Sequence, residues 1–304
     1  MTPHLNLIPS GKILGAKIAG LDLSGALGNA VIDAITLALG EHGVVSFPDQ
    51  KLTPTQLRDF AARFGDLEIN VANLFHEPDL PEVMILSNIM QDGRQIGVLD
   101  AGQDWHTDMS YSSMIAFANV LYGRQIPHRD GKPLGATQFA NMHAAYADLP
   151  DDIKQRLEGL TALHEFGKFW DMMRLDKGSP RPPLTQAQRQ AKPPVSHPMV
   201  MTHPITGRKI LYANPGYSVR INELPDAESK AMLDYLFRHQ LQPKYQYTHV
   251  WTAGDVLMID DIATLHYALP DYRPDEPRLL NRCQVMATRF FDDEGRVRMF
   301  VPAA

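Results

Sequence analysis

The sequence predicts an α+β protein built on a β-sandwich or jelly roll, and three observations carry that expectation. From Ala116 onward, short apolar segments recur between Gly, Pro and Asp turns, the pattern of many antiparallel strands. Segments with helical spacing are few and cluster early, so helices should pack outside a sheet core. Finally, 304 residues, 44% hydrophobic and 21% charged, are enough to bury a large core.

The elements follow in order. "LNLIPSGKILGAKIAGLDLS" alternates apolar and small residues between glycines, as short strands do. Asn29 to Glu41 carries apolar residues at helical spacing and stops near Gly43, and "GVVSFPDQ" reads as a buried strand meeting a Pro turn. Thr53 caps a helix begun by Pro54, with Leu57, Phe60, Ala61 and Phe64 on its inner face. "PEVMILSN" is another strand. After it come "AFANVLYG", "GATQFAN", "GLTALHEF", "HPMVMTHP", "KILYAN", "TAGDVLMIDD", "ATLHYAL" and "RCQVMATRF", all strand-like. Two helical insertions interrupt them, Met142 to Leu160 and Asp226 to His239, and "PRPPLTQAQRQAKPP" reads as a surface excursion able to act as a lid. No repeat or linker divides the chain, so we expect one domain over 1–304 with an insertion around 166–195.

Composition excludes several classes. The net charge of −6, without a Lys/Arg block, argues against a nucleic-acid or anionic-membrane surface. The single cysteine, Cys283, leaves no intrachain disulfide and no Cys-based zinc site. With no apolar run near eighteen residues and no signal-peptide pattern at the start, the expectation is a soluble, cytoplasmic protein. A metal, if present, must then be held by His and carboxylate.

"DWHTDMSY" places His106 and Asp108 two positions apart, where a β-scaffold points both side chains the same way. His-x-Asp alone decides nothing, because His128-Arg129-Asp130 repeats it in a Pro- and Gly-flanked loop. His106 has better company. His266 lies far along the chain on a strand entered from "GDVLMIDD", and Arg278 and Arg282 follow at even spacing. Two imidazoles and one carboxylate form a non-haem iron facial triad. A 2-oxoglutarate chelated there needs a cation for its far carboxylate, and Arg278 is placed to supply it.

Six collinear blocks extend the pattern: "GAKIAGLDLS", "FAARFGDLE", "WHTDMSY", "GATQFAN", "HPMVMTHPITGRKILYAN" and "LHYALPDY" with its two following arginines. Through them the chain, from about Ile8 to Thr288, resembles the taurine dioxygenase family of Fe(II)/2-oxoglutarate-dependent dioxygenases, which includes aryloxyalkanoate and alkylsulfate dioxygenases. The resemblance implies a double-stranded β-helix core, Fe(II) on His106, Asp108 and His266, and 2-oxoglutarate held by Thr137 and Arg278. With O2, such an enzyme hydroxylates a small organic anion: a carboxylate, sulfonate, sulfate or phosphonate. Where the hydroxylated carbon bears a heteroatom, the adjacent bond breaks. The family's Gly-Gly-Asp-Thr is Gly-Ala-Thr here with extra loop residues before it, and a tryptophan often found before the distal histidine is Ile259. Family members form dimers or tetramers, so a homo-oligomer is implied as well.

Arg282 resembles the family's substrate-anion arginine, and Tyr111, Trp170 and Tyr217 match aromatic positions around its substrate, although each serves equally well as core. Asn70 and Asn73 stand where taurine-specific members bring a histidine and a tyrosine, which disfavours taurine. His164, His197 and His203 read as satisfied or turn histidines, Trp105 as packing, and Asp260 and Asp261 as a turn that orients His266 or a nearby arginine. Two other readings stay open: a jelly-roll metal isomerase or hydrolase working without O2, and a catalytically inactive small-molecule-binding protein.

Overall fold

The strand Ala116–Gln125 organises the molecule. Eight of its ten residues are buried, and it pairs antiparallel with Val256–Asp260 on one side and Leu279–Met286 on the other. The computed structural model describes residues 5–69, 75–292 and 294–302. In it these three strands form the middle of a nine-stranded sheet. Val44–Phe47, Ala16–Ile18 and Leu7–Pro9 extend the sheet beyond Val256–Asp260. Leu80–Ser87 and His76–Glu77 extend it beyond Leu279–Met286, to which Leu67–Glu68 also pairs.

Strand alternation gives this sheet two different faces. On one, Val45, Phe47, Val120 and Val285 pack with Ile35 and Leu39 of helix Asn29–His42 and with Leu57 and Phe60 of helix Pro54–Ala61. On the other, Leu121, Leu257, Ile259 and Leu280 pack with Phe139. Phe139 belongs to Thr137–Asn141, the central strand of a second, three-stranded sheet completed by Gln246–His249 and Thr264–Ala268. Two β-layers enclose one core, with helices outside. The functional groups lie between the layers, toward one end.

Several expected elements appear as the local chemistry dictates. Gly43, at φ 67°, ends its helix by donating its N–H to the Leu39 carbonyl. Thr53 and Gln56 cap each other's backbone N–H groups ahead of Pro54, a reciprocal box of which the sequence reading had only the Thr53 half. Other elements differ. Met142 to Leu160 is not one helix: Met142–Ala147 and Asp151–Leu157 are separated at Pro150, which lacks the N–H a continuous helix needs. "HPMVMTHP" divides into Val195–Pro198 and Val200–Thr202, which pair with different strands. The insertion expected around 166–195 contains a helix the sequence reading missed, Phe166–Leu175, and a short capped one, Gln186–Ala191. No helix among the described residues is long and apolar enough to cross a membrane.

Candidate active site

Backbone pairing brings the distant ligand candidates together. His106 and His266 form an antiparallel bridge. The His106 N–H donates to the His266 carbonyl at 3.1 Å, and the His266 N–H returns to the His106 carbonyl at 2.8 Å. Their side chains therefore leave the bridge side by side, with ring centroids 4.2 Å apart. Thr107, between the two sequential ligands, donates its hydroxyl to the Asp261 carbonyl at 2.5 Å and ties this segment to the turn before His266. Immediately after Asp108 the chain turns sharply through Met109, a buried non-glycine residue at φ 57°. A left-handed conformation there costs on the order of 1–3 kcal/mol and is held by the packing around it.

His106, Asp108 and His266 are all buried, and one ligand-type atom from each lies within 4.8 Å of the others. The Nδ1 of His106 is 2.7 Å from the Asp104 carbonyl, which fixes its proton there and leaves Nε2 free, 3.5 Å from Asp108 Oδ1. On His266, Nδ1 faces Asp261 at 3.7 Å. Asp260 shapes that turn by accepting from the Ile262 and Ala263 N–H groups, while its other oxygen sits 2.9 Å from His203 Nε2. Burial holds the His266 imidazole down at about 3, so it stays neutral and able to ligate. Burial alone would raise Asp108, but the Arg282 guanidinium beside it overcomes that and keeps the carboxylate well below its usual range. A neutral imidazole, a second imidazole with one nitrogen free and an ionised carboxylate suit a divalent iron, so the donor set fits.

Asp108 is gripped from the side away from His106. Its Oδ2 accepts from Asn119 Nδ2 at 2.8 Å and from Arg282 Nη1 at 2.7 Å. Arg282 Nη2 rests on the Met84 sulfur at 3.2 Å, and its buried Nε has no partner among the described residues. The arginine assigned to the substrate anion is thus also a partner of the ligand carboxylate.

One cavity joins His106 and His266 to the two residues assigned to 2-oxoglutarate, with Leu86, Leu121 and Ile259 as apolar walls. Thr137 opens the strand that pairs with Thr264–Ala268, opposite Ala268. Its hydroxyl accepts from Trp251 Nε1 at 3.0 Å, which leaves the hydroxyl proton to be donated. Arg278 is 6% exposed and forms no ion pair among the described residues: Nη2 donates to the Gly135 carbonyl at 3.3 Å, Nε has no partner there, and the Tyr272 ring lies 5.6 Å from its guanidinium. A Cβ at Gly135, where φ is 69°, would stand 2.7 Å from Arg278 Nε, so only glycine leaves room for that side chain. A buried guanidinium with an open Nε donor, sharing a cavity with a free hydroxyl and with His106 and His266, is a fitting receptor for a carboxylate. Arg278 precedes the regular strand Leu279–Met286, yet it and Arg282 line the same cavity, as their even spacing implies.

Tyr111 and Tyr217 pack in a tilted pair near His106, their rings 4.7 Å apart and Tyr217 6.1 Å from the imidazole. Trp170 reaches this cluster only at its edge, 6.0 Å from Phe166. Its ring carries the Arg181 guanidinium at 4.7 Å, and its indole N–H donates to the Pro182 carbonyl. Phe169, one position earlier, is the residue that lies against His106, at 4.9 Å. Asn70 and Asn73 fall outside the described residues. The second His-x-Asp forms no site: His128 and Asp130 are exposed on a hairpin whose turn is Asp130-Gly131. Trp105 packs beside Tyr267 at 5.8 Å as expected. His164 departs from expectation: it is fully buried, neither ring nitrogen has a partner among the described residues, and burial holds it down at about 3.

Sequence reasoning missed Asn119, Trp251 and Phe169. Asn119 had a signal, being the one amide inside the apolar run "AFANVLYG", where a buried polar group needs a purpose. Trp251 and Phe169 had none, because their roles depend on which way a loop and a short helix face.

Comparison with known proteins agrees with this geometry. Residues 6–284 match the family described as "Taurine catabolism dioxygenase TauD, TfdA family". The chain is 33% identical to pentalenolactone F synthase of Streptomyces avermitilis, over 93% of each chain. It is also 33% identical to the alpha-ketoglutarate-dependent 2,4-dichlorophenoxyacetate dioxygenase of Burkholderia sp. (strain RASC), over 82% of this chain and 84% of that one. Among solved structures, AAD-2 in complex with Mn(II) and N-oxalylglycine superimposes with a TM-score of 0.77 at 27% identity, covering 92% of this chain and 97% of that one. The chain belongs to the TauD/TfdA family and is an Fe(II)- and 2-oxoglutarate-dependent dioxygenase.

Proposed function

We propose that the protein hydroxylates a small organic anion with an apolar or aromatic body, using His106, Asp108 and His266 for Fe(II), Thr137 and Arg278 for 2-oxoglutarate, and Arg282 for the substrate anion. The observation that carries the reading is the cavity running from His106 and His266 to Arg278, a buried cation that forms no ion pair among the described residues. When bound, iron, 2-oxoglutarate and O2 supply the oxidising chemistry, and 2-oxoglutarate leaves as succinate and CO2. The chain's residues do the rest. Arg278 and Thr137 hold the far carboxylate, while Asn119 fixes the orientation of Asp108. Arg282 spans the ligand carboxylate and the space where a substrate anion is drawn in. Phe166, Phe169, Tyr111 and Tyr217 keep that side dry and favour an apolar body.

Relatives acting on 2,4-dichlorophenoxyacetate and (S)-phenoxypropionate, and an alkylsulfatase, support an anion and favour the dioxygenase over an O2-independent isomerase, a hydrolase or a silent binder. In this reading the two β-layers are a double-stranded β-helix in a single cytoplasmic domain, and the protein assembles as a dimer or tetramer. Residues 166–195 act as the lid. Arg181–Asp100 at 2.6 Å and Lys177–Asp104 at 3.1 Å tie them to the loop that leads into His106. Taurine is disfavoured because Asn70 and Asn73 replace the histidine and tyrosine of taurine-specific members.

The test is anaerobic loading with Fe(II) and 2-oxoglutarate, then O2, with succinate quantified across aryloxyalkanoates, alkyl sulfates, sulfonates including taurine, and phosphonates. Succinate formation should be coupled to loss of an anion with an apolar body. Efficient, coupled turnover of taurine, or a best substrate that is neutral or cationic, would overturn the proposal.

A further inference from the structure

The second His-x-Asp is not a ligand pair, but the residue between its ends is placed to matter. Arg129 projects from the hairpin formed by His128–Arg129 and Lys132–Pro133. Its guanidinium grips Glu276 with two donors, Nε to Oε1 at 2.8 Å and Nη2 to Oε2 at 2.5 Å. Nη2 also reaches the Asp271 carbonyl at 3.2 Å. Glu276 in turn accepts the Arg273 N–H at 2.7 Å, and with Arg129 and that N–H on it, its carboxyl is drawn down to about 2.

The loop so gripped, residues 271–277, leads directly into Arg278. Asn88 holds it from within, donating to the Arg273 and Glu276 carbonyls and accepting the Arg278 N–H at 2.8 Å. The same loop reaches back to the hairpin's far end: Asp271 Oδ1 accepts the Gly135 N–H at 2.7 Å. Gly135 is where the Arg278 guanidinium lies, and Tyr272, inside the loop, covers that guanidinium. Hairpin and loop are therefore two walls of one cradle, and a bidentate ion pair closes them. Pro270, Pro274 and Pro277 leave the loop few alternative conformations once its ends are fixed.

We propose that Arg129 and Glu276 are positioning residues for the cosubstrate: their forked ion pair holds the 271–277 loop so that Arg278 meets the far carboxylate of 2-oxoglutarate. This rests on the reading of Arg278 as the carboxylate receptor. An arginine serves here better than a lysine because only the planar fork fixes both distance and direction. The pair touches neither the triad nor the substrate side, so its effect belongs to 2-oxoglutarate affinity alone.

The experiment is an anaerobic titration of the full-length Fe(II) protein with 2-oxoglutarate, read by the charge-transfer absorbance of the complex, with Fe(II) affinity and thermal midpoint measured alongside. Arg129→Ala and Glu276→Gln should each weaken 2-oxoglutarate binding about three- to tenfold and leave Fe(II) affinity unchanged. Arg129→Lys should fall between Arg129→Ala and the unmodified protein, a recovery that loss of bulk stability does not produce. Should Arg129→Ala fail to fold, Glu276→Gln and Arg129→Lys carry the same comparison. If these variants bind 2-oxoglutarate within twofold of the unmodified protein while Arg278→Ala is weakened about thirtyfold or more, the positioning role is wrong. If Arg278→Ala itself binds normally, the carboxylate-receptor reading beneath it is wrong instead.

Discussion

The chain carries the same tripeptide pattern twice, and the two copies do opposite things. His106-Thr107-Asp108 is buried, bridged by its backbone to His266, and gripped through Asp108 by Asn119 and Arg282. His128-Arg129-Asp130 is an exposed hairpin whose outer residues face solvent and whose middle residue clamps a loop. Residue type and spacing are alike in both. What differs is the neighbour that tertiary structure delivers: a third ligand and a carboxylate-orienting amide in one case, a glutamate in the other. A ligand motif becomes a metal site only where the fold supplies the missing donor and keeps water out.

The largest expected effect separates the two copies directly. His106→Ala, Asp108→Ala and His266→Ala should each abolish succinate formation and weaken Fe(II) binding, because each removes one of three ligands. His128→Ala and Asp130→Ala should stay near the unmodified protein in both measurements. An essential His128 pair with a dispensable His106 pair would reverse the assignment.

Next comes the cation beyond the triad. Arg278→Ala should lose about 2–5 kcal/mol of 2-oxoglutarate binding, since a carboxylate would be left without its charged, forked partner. Arg278→Lys should recover only part of that loss. Direct titration of the Fe(II) form decides the matter, and normal affinity in Arg278→Ala with a defect only in Arg282→Ala would show the two arginines exchanged.

Arg282 sharpens the comparison further, because beside its proposed role at the substrate it is bound to Asp108. Arg282→Ala should abolish coupled substrate turnover while 2-oxoglutarate binding persists. Since Arg282 also grips Asp108, Fe(II) affinity should fall as well, by roughly 10- to 100-fold, the scale for residues that orient metal ligands. An unchanged Fe(II) affinity would confine Arg282 to the substrate side.

The smallest effect concerns buried histidines that are not ligands. Burial is the main cause holding His164 at about 3 and His143 at about 4, below the ordinary value of 6.5. Between those values and 6.5 the unfolded chain takes up protons that the folded chain refuses, so stability must fall as pH drops through that window. Urea midpoints measured from pH 7 down to 4.5 should show the decline. His164→Leu should flatten it, with His128→Ala as the exposed control. A slope unaltered by His164→Leu would mean that His164 is not the group responsible.

Much of the site was legible in sequence because its signals are local or nearly so. The even spacing of His106 and Asp108, and of Arg278 and Arg282, follows from strand geometry, as Thr53 with Pro54 follows from helix-capping chemistry. Pro150 broke an expected helix through a rule just as local, one that sequence reading underweighted. Phe166–Leu175 escaped notice because a ten-residue amphipathic stretch beside an irregular Pro-rich run gives little periodicity to read.

The sequence by itself determined the ligand types, the cations available to two carboxylates, the absence of a cysteine-based metal site and the mixed β-layer and helix architecture. These depend on residue identity and short-range spacing, which the chain states outright. Only the tertiary structure showed how His266, already singled out in the sequence, reaches His106, through an antiparallel backbone bridge. It alone showed that Asn119 rather than a charged group steadies Asp108, that Phe169 rather than Trp170 lies against the imidazole, and that Arg129 clamps the loop before Arg278. Each of these is a contact between segments far apart in sequence. Strand register and helix facing set such contacts, and both are fixed by burial of the whole core rather than by any residue's neighbours along the chain.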